Sequence, residues 1–224
     1  MIGAVIFDMD GVILNSVDMH LQVWNNVMKE YQLEISKELI NKLNGMNTLN
    51  IAEYLVKEYG LDADPGEIAL QKRSLSKEKV KEGVPLFEGV HETISVLKKL
   101  GYKIGLATMS TRENMEYALG NNLFDLEFDF VVTDDDVKRS KPAPDIFLRC
   151  AKGLGKEPNE CVVVEDALNG IEAARSAGMY AVAVTTTTSG EHFNNAHAIM
   201  EKTSYLSADL IKALESKVEA KNEH

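Results

Sequence analysis

Two aspartates that directly follow an apolar segment are the first candidates for chemistry in this chain. Asp8 and Asp10 come after the β-branched run Ala4–Phe7, which has the pattern of a buried strand. Residues i and i+2 of an extended chain point the same way, so both carboxylates would face one pocket. Their mutual repulsion favours a bound cation or a cationic substrate, although two solvated acids in an Asx turn would give the same spacing. Gly11 then permits a turn that brings backbone N–H groups near the carboxylates.

A second pair of acids, Glu165 and Asp166, follows the apolar run Cys161–Val164 in the same way. Hard oxygen ligands suit Mg²⁺, which typically takes one or two carboxylates together with the phosphate oxygens of a substrate. The pair therefore favours a magnesium site. An alternative is that Asp166 only caps the helix that follows it.

Hydroxyl and ammonium groups that bind anions follow further apolar segments. Thr108 ends the run Tyr102–Ala107, and Ser110 stands at a predicted helix start, where hydroxyls and free N–H groups can hold an anion. Capping of that helix by Ser110 or Thr111 would explain the same residues. Lys141 lies in the segment SKPAPD, whose prolines stiffen the loop, but an ordinary solvated lysine before a helix fits the position as well.

All of these residues lie at the ends of short apolar runs that alternate with helical patterns. The predicted strands are Ala4–Phe7, Tyr102–Ala107, Phe128–Thr133, Glu160–Val164 and Tyr180–Val184. The amphipathic helices predicted between them are Val90–Leu100, Arg112–Leu119, Pro144–Leu154 and Gly170–Ala177. Such alternation predicts an α/β fold with a doubly wound parallel sheet. Ligands of these sheets bind at the carboxyl ends of the strands, so the fold would gather the polar residues named above at one edge.

A helix-rich block between the first and second strands breaks this alternation. We predict an inserted helical domain over residues 16–83 and an α/β core built from residues 1–15 and 84–224. The helices predicted in the block are Val17–Tyr31, Lys37–Leu43, Thr48–Tyr59 and Gly66–Lys81. Their apolar faces would form a small bundle. A last helix is expected over Ser207–Glu215, after which the polar segment Glu215–His224 is expected to fray.

The composition is that of an ordinary globular protein with a strong negative charge. Lys and Arg number 24 against 35 Asp and Glu, and the net charge of −11 argues against nucleic acid or anionic membranes as partners. The chain has no apolar stretch of about 18 residues and no basic leader, which favours a cytoplasmic location. Cys150 and Cys161 lack metal-binding spacing and are expected to be buried thiols.

The motifs and their order along the chain resemble the haloacid dehalogenase superfamily, in its phosphatase subclass with a helical cap. The matching segments are FDMDGV at Phe7–Val12, Thr108 after GLA, Lys141 in SKPAPD, and VEDALNGI at Val164–Ile171. The resemblance implies a Rossmann-like core with an inserted cap. It also implies Mg²⁺-dependent hydrolysis of a small phosphorylated metabolite, most simply a sugar phosphate, through an aspartyl-phosphate. Members of this subclass are often monomers, and a monomer is expected here.

The resemblance also assigns roles to individual residues. It implies that Asp8 is the nucleophile, that Asp10 is the general acid and base, and that Thr108 and Lys141 hold the transferring phosphoryl group. The metal set that it implies is Asp8, Asp10 through its carbonyl oxygen, Asp166, and Glu165 at or close to the ion.

Residues of the predicted cap bear on the choice between a phosphatase and a sugar phosphomutase similar to β-phosphoglucomutase. His20 and Trp24 resemble the His and Trp of such members and would line the substrate cavity, although a packed aromatic face with a satisfied histidine is equally compatible. Thr48 stands where mutases and several hexose-phosphate phosphatases carry an arginine for a second phosphate. A hydroxyl cannot form that bidentate clamp, so hydrolysis of a monophosphate is favoured over mutase activity.

Other classes of protein fit the residues less well. Asp10 argues against a true dehalogenase, which does not need the second aspartate, and a non-catalytic phosphometabolite-binding protein would be expected to have lost some core residues. Gly11 and Ser110 complete the predicted substrate-binding set. A cationic contact to the substrate is left open among three residues of the last predicted cap helix, namely Lys72, Arg73 and Lys77.

Overall fold

A parallel sheet of six strands places the candidate site. The computed structural model describes residues 1–81, 83–120 and 122–222, with side chains as far as residue 216. The strands are β1 Ala4–Phe7, β2 Lys103–Ala107, β3 Phe130–Val132, β4 Cys161–Glu165, β5 Tyr180–Val184 and β6 Ala198–Met200. Their order is β3-β2-β1-β4-β5-β6, and every neighbouring pair is parallel. The order reverses between β1 and β4, which is where ligands bind in sheets of this kind.

β1 shows why the central strands are continuously apolar. Val5 and Phe7 belong to the cluster of buried side chains on one face of the sheet, and Ala4 and Ile6 belong to the cluster on the other face. Because both faces are covered, every residue of the strand is buried. The last residue, Phe7, pairs with Leu106 and Val164, each one residue before the end of its strand, so the loops after β1, β2 and β4 begin within one residue of the same level.

Five helices are described between β1 and β2, and the first four are α1 Val17–Met28, α2 Lys37–Leu43, α3 Thr48–Tyr59 and α4 Pro65–Val80. We call residues 17–80 the helical segment. It has its own cluster of buried side chains, which includes Trp24, Leu55 and Ile68 and is separate from the two clusters of the sheet. Asn47 caps α3 with its side chain, which accepts a hydrogen bond from the first turn, and Gly60 ends the helix in a left-handed conformation.

Helices cover both faces of the sheet. The remaining helices are α5 Val90–Lys99, α6 Arg112–Leu119, α7 Asn122–Asp125, α8 Asp145–Gly153, α9 Leu168–Ser176 and α10 Ala208–Asn222. Side chains of α5, α6 and α10 pack on the face that carries Phe7, and those of α8 and α9 pack on the face that carries Ile6. No helix in the described ranges is long and apolar enough to cross a membrane. Cys150 and Cys161 are buried and free, as expected.

The structure confirms the predicted α/β class and corrects parts of the element assignment. The helix predicted over Val17–Tyr31 ends at Met28 and continues only as a short 3₁₀ turn. The prediction that the chain frays from Glu215 was wrong, because α10 continues to Asn222. Ala, Glu and Lys, which make up most of the segment Glu215–Asn222, are good helix formers. The final residues, 223–224, lie outside the described part of the chain.

Candidate active site

Lys141 is fully buried, and its ammonium group lies against two carboxylates. Its Nζ donates to Oδ1 of Asp8 at 2.5 Å and to Oε1 of Glu165 at 2.6 Å. Burial disfavours the charged lysine, but these two carboxylates raise the pKa of Lys141 above its usual range. The aromatic ring of Phe147 adds a cation–π contact, with its centre 4.8 Å from Nζ. The alternative of an ordinary solvated lysine is therefore wrong.

The surroundings of Asp8 disfavour the ionised form of its carboxyl group. Burial, with smaller contributions from Glu165 and Asp10, raises the pKa of its carboxyl group, Lys141 lowers it, and the net pKa is about 8. A carboxylate in this position needs more positive charge than one lysine supplies. The repulsion expected from the spacing of the two aspartates is thus present at Asp8, whose pKa is raised in part by Asp10.

Asp166 lies beside Asp8 and accepts hydrogen bonds from two side chains. Asn44 Nδ2 donates to its Oδ2 at 2.9 Å, and Thr187 Oγ1 donates to the same oxygen at 2.7 Å. Burial raises the pKa of Asp166 well above its usual range, and the neighbouring carboxylates add to that effect. The alternative that Asp166 only caps a helix is wrong, because the residue that precedes α9 is Ala167, which has no side-chain cap.

Gly11 allows the loop after β1 to touch Asp166. Its φ is +80°, and a Cβ at this position would lie 2.1 Å from Oδ2 of Asp166. Any side chain would therefore be strained and would also collide with the carboxylate. Gly11 was predicted to contact substrate, and the structure places it against Asp166 and Thr186.

The acids of this cluster fit a divalent cation. Carboxylate oxygens of Asp8, Glu165 and Asp166 lie within 4.8 Å of one another. Both oxygens of Glu165 are engaged, by Lys141 and by the N–H of Ala167. Asp8 and Asp166 each retain one oxygen that accepts no hydrogen bond from the described residues. Three hard carboxylates against one lysine match the ligand chemistry of Mg²⁺.

Asp10 is surrounded by hydroxyl and imidazole groups. Ser16 Oγ donates to its Oδ1 at 2.5 Å, His20 Nε2 lies 3.1 Å from the same oxygen, and Ser110 Oγ donates to Oδ2 at 3.3 Å. Burial alone would raise the pKa of Asp10, but His20, Ser16 and Lys72 together lower it to about 2. The side chain of Asp10 is therefore an ionised carboxylate outside the acidic cluster.

His20 connects Asp10 to Lys72. Lys72 Nζ lies 3.3 Å from Nδ1 of His20. Because an ammonium group can only donate, Nδ1 accepts and Nε2 carries the proton that points to Asp10. Burial lowers the pKa of Lys72 to about 8, although the charge of Asp10 opposes the shift. Lys72 also lies 5.8 Å from the centre of the Trp24 ring. His20 therefore satisfies both alternatives: it lines the cavity, and both of its ring nitrogens have partners.

A cavity of about 70 Å³ lies between the helical segment and the carboxyl edge of the sheet. Its lining includes Asp8 and Asp10, and also His20, Trp24, Asn44, Thr48, Lys72 and Ser110. Of the three cations left open, Lys72 faces this cavity, whereas Arg73 pairs with Asp134 and Lys77 with Glu113.

Thr108 is buried beneath the loop that carries Ser110. Its Oγ1 accepts a hydrogen bond from the N–H of Ser110 at 3.1 Å, and its own N–H donates to the carbonyl of Val132. The capping alternative holds for Thr111, which caps α6, whereas Ser110 faces Asp10. The two hydroxyl residues therefore have separate functions.

The threonines after β5 were not predicted to belong to the site. Thr187 Oγ1 donates to Asp166, and Thr186 Oγ1 donates to the carbonyl of Gly11. The signal was present, because Thr185–Thr188 follows an apolar strand as Asp8 and Glu165 do. Ser16, which lies six residues after Asp10 and donates to it, was also missed. Asn44 and Asn47 were missed because they reach the core only through the fold of the helical segment.

The site at the switch point of the parallel sheet combines a buried lysine–aspartate pair, an adjoining acidic cluster and a second aspartate. This combination is typical of hydrolases that transfer a phosphoryl group. Residues 5–184 match the family model described as haloacid dehalogenase-like hydrolase. The chain therefore belongs to the haloacid dehalogenase-like hydrolase family, and the resemblance inferred from its motifs is confirmed.

Known relatives agree with this assignment. The chain is 37% identical to the fructose-1-phosphate phosphatase YqaB of Escherichia coli over 183 residues, which are 81% of this chain and 96% of the relative. It is 29% identical to the β-phosphoglucomutase of Bacillus subtilis over 93% of each chain. The crystal structure of β-phosphoglucomutase from Clostridium difficile superposes with a TM-score of 0.84 at 26% identity, covering 98% of this chain and 100% of that one. The protein is thus similar to sugar phosphatases and phosphomutases.

Proposed function

We propose that the protein is a Mg²⁺-dependent phosphatase that hydrolyses a small sugar phosphate or related phosphate ester through an aspartyl-phosphate on Asp8. The observation that carries the proposal is the environment of Asp8, a buried carboxylate that lines the cavity and is held by Lys141. The family match and the similarity to a fructose-1-phosphate phosphatase support it. The helical segment would then be the cap, with residues 16–83 closing over a core of residues 1–15 and 84–224.

In the first half of the proposed reaction, a carboxylate oxygen of Asp8 attacks phosphorus, and the bond from phosphorus to the alcohol oxygen breaks. Asp10 gives the leaving oxygen its proton. The resting Asp10 is ionised, with a pKa of about 2, so it must first take up a proton. The arrival of an anionic phosphate beside it raises its proton affinity and favours this step.

In the second half, water attacks the phosphorus of the aspartyl-phosphate, and Asp10 takes the proton from that water. His20 holds one oxygen of Asp10 from the cavity wall, and Ser110 holds the other. Lys141 keeps the Asp8 oxygen oriented and stabilises the carboxylate as it leaves phosphorus. Asp8, Asp166 and the carbonyl oxygen of Asp10, with Glu165 close by, would hold Mg²⁺, which when bound neutralises charge on the phosphoryl oxygens.

The test is release of inorganic phosphate from p-nitrophenyl phosphate, fructose 1-phosphate and β-glucose 1-phosphate, with Mg²⁺ and with EDTA. We expect activity with Mg²⁺ only. Asp8→Asn should lower it by about 10³-fold or more, as removal of a catalytic nucleophile does. The matched control is Asp62→Asn, the same substitution at an exposed acid of the helical segment. Undiminished turnover in Asp8→Asn would disprove the nucleophile assignment.

A sugar phosphomutase is the second candidate, because β-phosphoglucomutases are similar to this chain over 93% and 98% of its length. Thr48 lines the cavity, and among the described lining residues Lys72 is the only cation. It is already engaged with His20, which leaves no guanidinium clamp for a second phosphate. The assay is β-glucose 1-phosphate with a trace of the 1,6-bisphosphate. Free sugar as the main product would support the phosphatase, and glucose 6-phosphate would support the mutase.

A further inference from the structure

Asn47, at the start of α3, contacts two different loops of the sheet. Its side-chain Nδ2 donates to Oδ1 of Asp134 at 2.9 Å, and its backbone N–H donates to Oγ of Ser140 at 2.8 Å. A second residue of the helical segment reaches the same carboxylate, since Arg73 Nη2 lies 3.6 Å from Oδ2 of Asp134. Two helices of the segment therefore meet at one acid of the core.

Both loops that Asn47 contacts support the candidate active site. Ser140 directly precedes Lys141, the buried cation that holds Asp8. The N–H of Asp134 donates to the carbonyl of Ser110, whose hydroxyl group faces Asp10. If Asn47 moved away from the core, it would lose its contacts with Ser140 and Asp134. The first is the neighbour of Lys141, which holds Asp8, and the second is bonded to Ser110, which holds Asp10.

The contact is well shielded. The side chain of Asp134 is 13% exposed and Ser140 is 8% exposed. A hydrogen bond to a charged group in such surroundings is stronger than one on an open surface. The pair is therefore suited to hold the helical segment against the core.

We propose that Asn47 is a positioning residue, whose pairing with Asp134 and Ser140 holds the helical segment closed over the phosphoryl site. The inference rests on the proposed phosphatase function. Asn47 has no described contact with Asp8 and does not itself line the cavity, although Met46 and Thr48 on either side of it do, and it acts through the loops of Ser110 and Lys141. Loss of these contacts would therefore lower turnover without removing a catalytic group.

The dual role of Asn47 decides which substitutions are informative. Its Oδ1 caps α3 by accepting from the N–H of Asn50, so Asn47→Ala would damage the helix as well as the contact. Asn47→Asp keeps an acceptor for the cap, but it removes the amide donor and places a carboxylate opposite Asp134. Asp134→Asn removes the acceptor charge from the other side. The double variant Asn47→Asp with Asp134→Asn exchanges donor and acceptor and should re-form the pair.

Two readouts separate positioning from simple damage. Trp24 is the only tryptophan of the chain, it lines the cavity, and it is 1% exposed. Acrylamide quenching of its fluorescence therefore reports opening. We expect each single variant to be quenched several-fold more readily than the wild type and to lose about 10-fold in kcat/KM for p-nitrophenyl phosphate, the scale of one charge-assisted hydrogen bond. The double variant should recover to within about 3-fold of the wild type in both.

Asn50→Asp is the charge control, because it adds the same carboxylate to the same helix, and its described contacts include no side-chain bond to the core. It should leave both readouts unchanged. Equal quenching and equal kcat/KM in the wild type and both single variants would overturn the proposal, as would a double variant no better than the singles. If the wild type hydrolyses no ester, the proposed function fails, whereas quenching across the four proteins still decides whether the pair holds the segment closed.

Discussion

Replacement of Lys141 by methionine tests the electrostatic account of the site most directly. Lys141→Met keeps a chain of similar length against Phe147 but leaves Asp8 and Glu165 buried without their shared cation. Loss of one partner of a buried ion pair typically costs about 3–5 kcal/mol. We therefore expect the free energy of unfolding to fall by about that amount at pH 7 in EDTA.

The pH dependence of this loss follows from the pKa of Asp8. That pKa is raised from 3.8 to about 8 by burial, and Lys141 limits the rise. A raised folded-state pKa contributes stability that is present at low pH and lost as pH rises through it. In Lys141→Met the folded-state pKa moves above about 8, so this loss extends to higher pH than in the wild type. The gap in stability should widen between pH 7 and pH 9, by up to about 1.4 kcal/mol per pH unit.

Urea denaturation followed by Trp24 fluorescence would measure both effects, with Lys138→Met as a matched change at an exposed lysine. Lys138→Met should denature like the wild type. A loss below about 1 kcal/mol for Lys141→Met at pH 7 would refute the account of a buried, paired lysine. So would a gap that narrows as the pH rises.

Three further predictions concern the loop after β1 and the cavity. Gly11→Ala should weaken Mg²⁺ binding, measured by isothermal titration, by about 10-fold or more, because the added Cβ would collide with Asp166. The control is Gly60→Ala, at a position with φ +61° and open space around it, which should lower the stability by about 1–2 kcal/mol through backbone strain and leave Mg²⁺ binding unchanged. Lys72→Met should remove the decline of kcat/KM above about pH 8, because the pKa of Lys72 is lowered to about 8 and its charge is lost there. Thr48→Arg should raise kcat/KM for a sugar bisphosphate relative to the monophosphate by about 10-fold, since the cavity gains a guanidinium.

The elements that the sequence specifies most clearly are those with strong local signals. The bounds of α3 were predicted correctly because Asn47 and Gly60 mark its two ends, and the buried strands were found because both faces of the sheet are covered. β6 was missed, since it has three residues and Ile199, at its centre, is half exposed. A short edge strand of this kind has neither an apolar run nor a clear alternation.

The residues of the site likewise fall into a group that the sequence predicts and a group that it does not. The acids after β1 and β4 were predictable, because the topology of a parallel sheet brings strand ends together whatever the details of packing. Contacts such as Asn44 with Asp166 and Asn47 with Asp134 depend on how the helical segment lies against the sheet. That orientation is a property of the whole fold, and no spacing within α2 or α3 encodes it.

Asp8 and Asp10 show why spacing alone cannot assign chemistry. They share a residue type and the end of one strand, and extended geometry predicts one common pocket for both. The structure gives them opposite environments: burial raises the pKa of Asp8 to about 8, whereas hydroxyl groups and the His20–Lys72 pair lower that of Asp10 to about 2. A carboxylate that needs a further cation suits a nucleophile beside a metal, whereas a carboxylate already supplied with hydrogen-bond donors exchanges a proton only once substrate has raised its pKa. Each aspartate thus has a buried lysine near it: Lys141 contacts Asp8 directly, and Lys72 reaches Asp10 through His20. The different roles of the two aspartates in the proposed reaction depend on these two lysines.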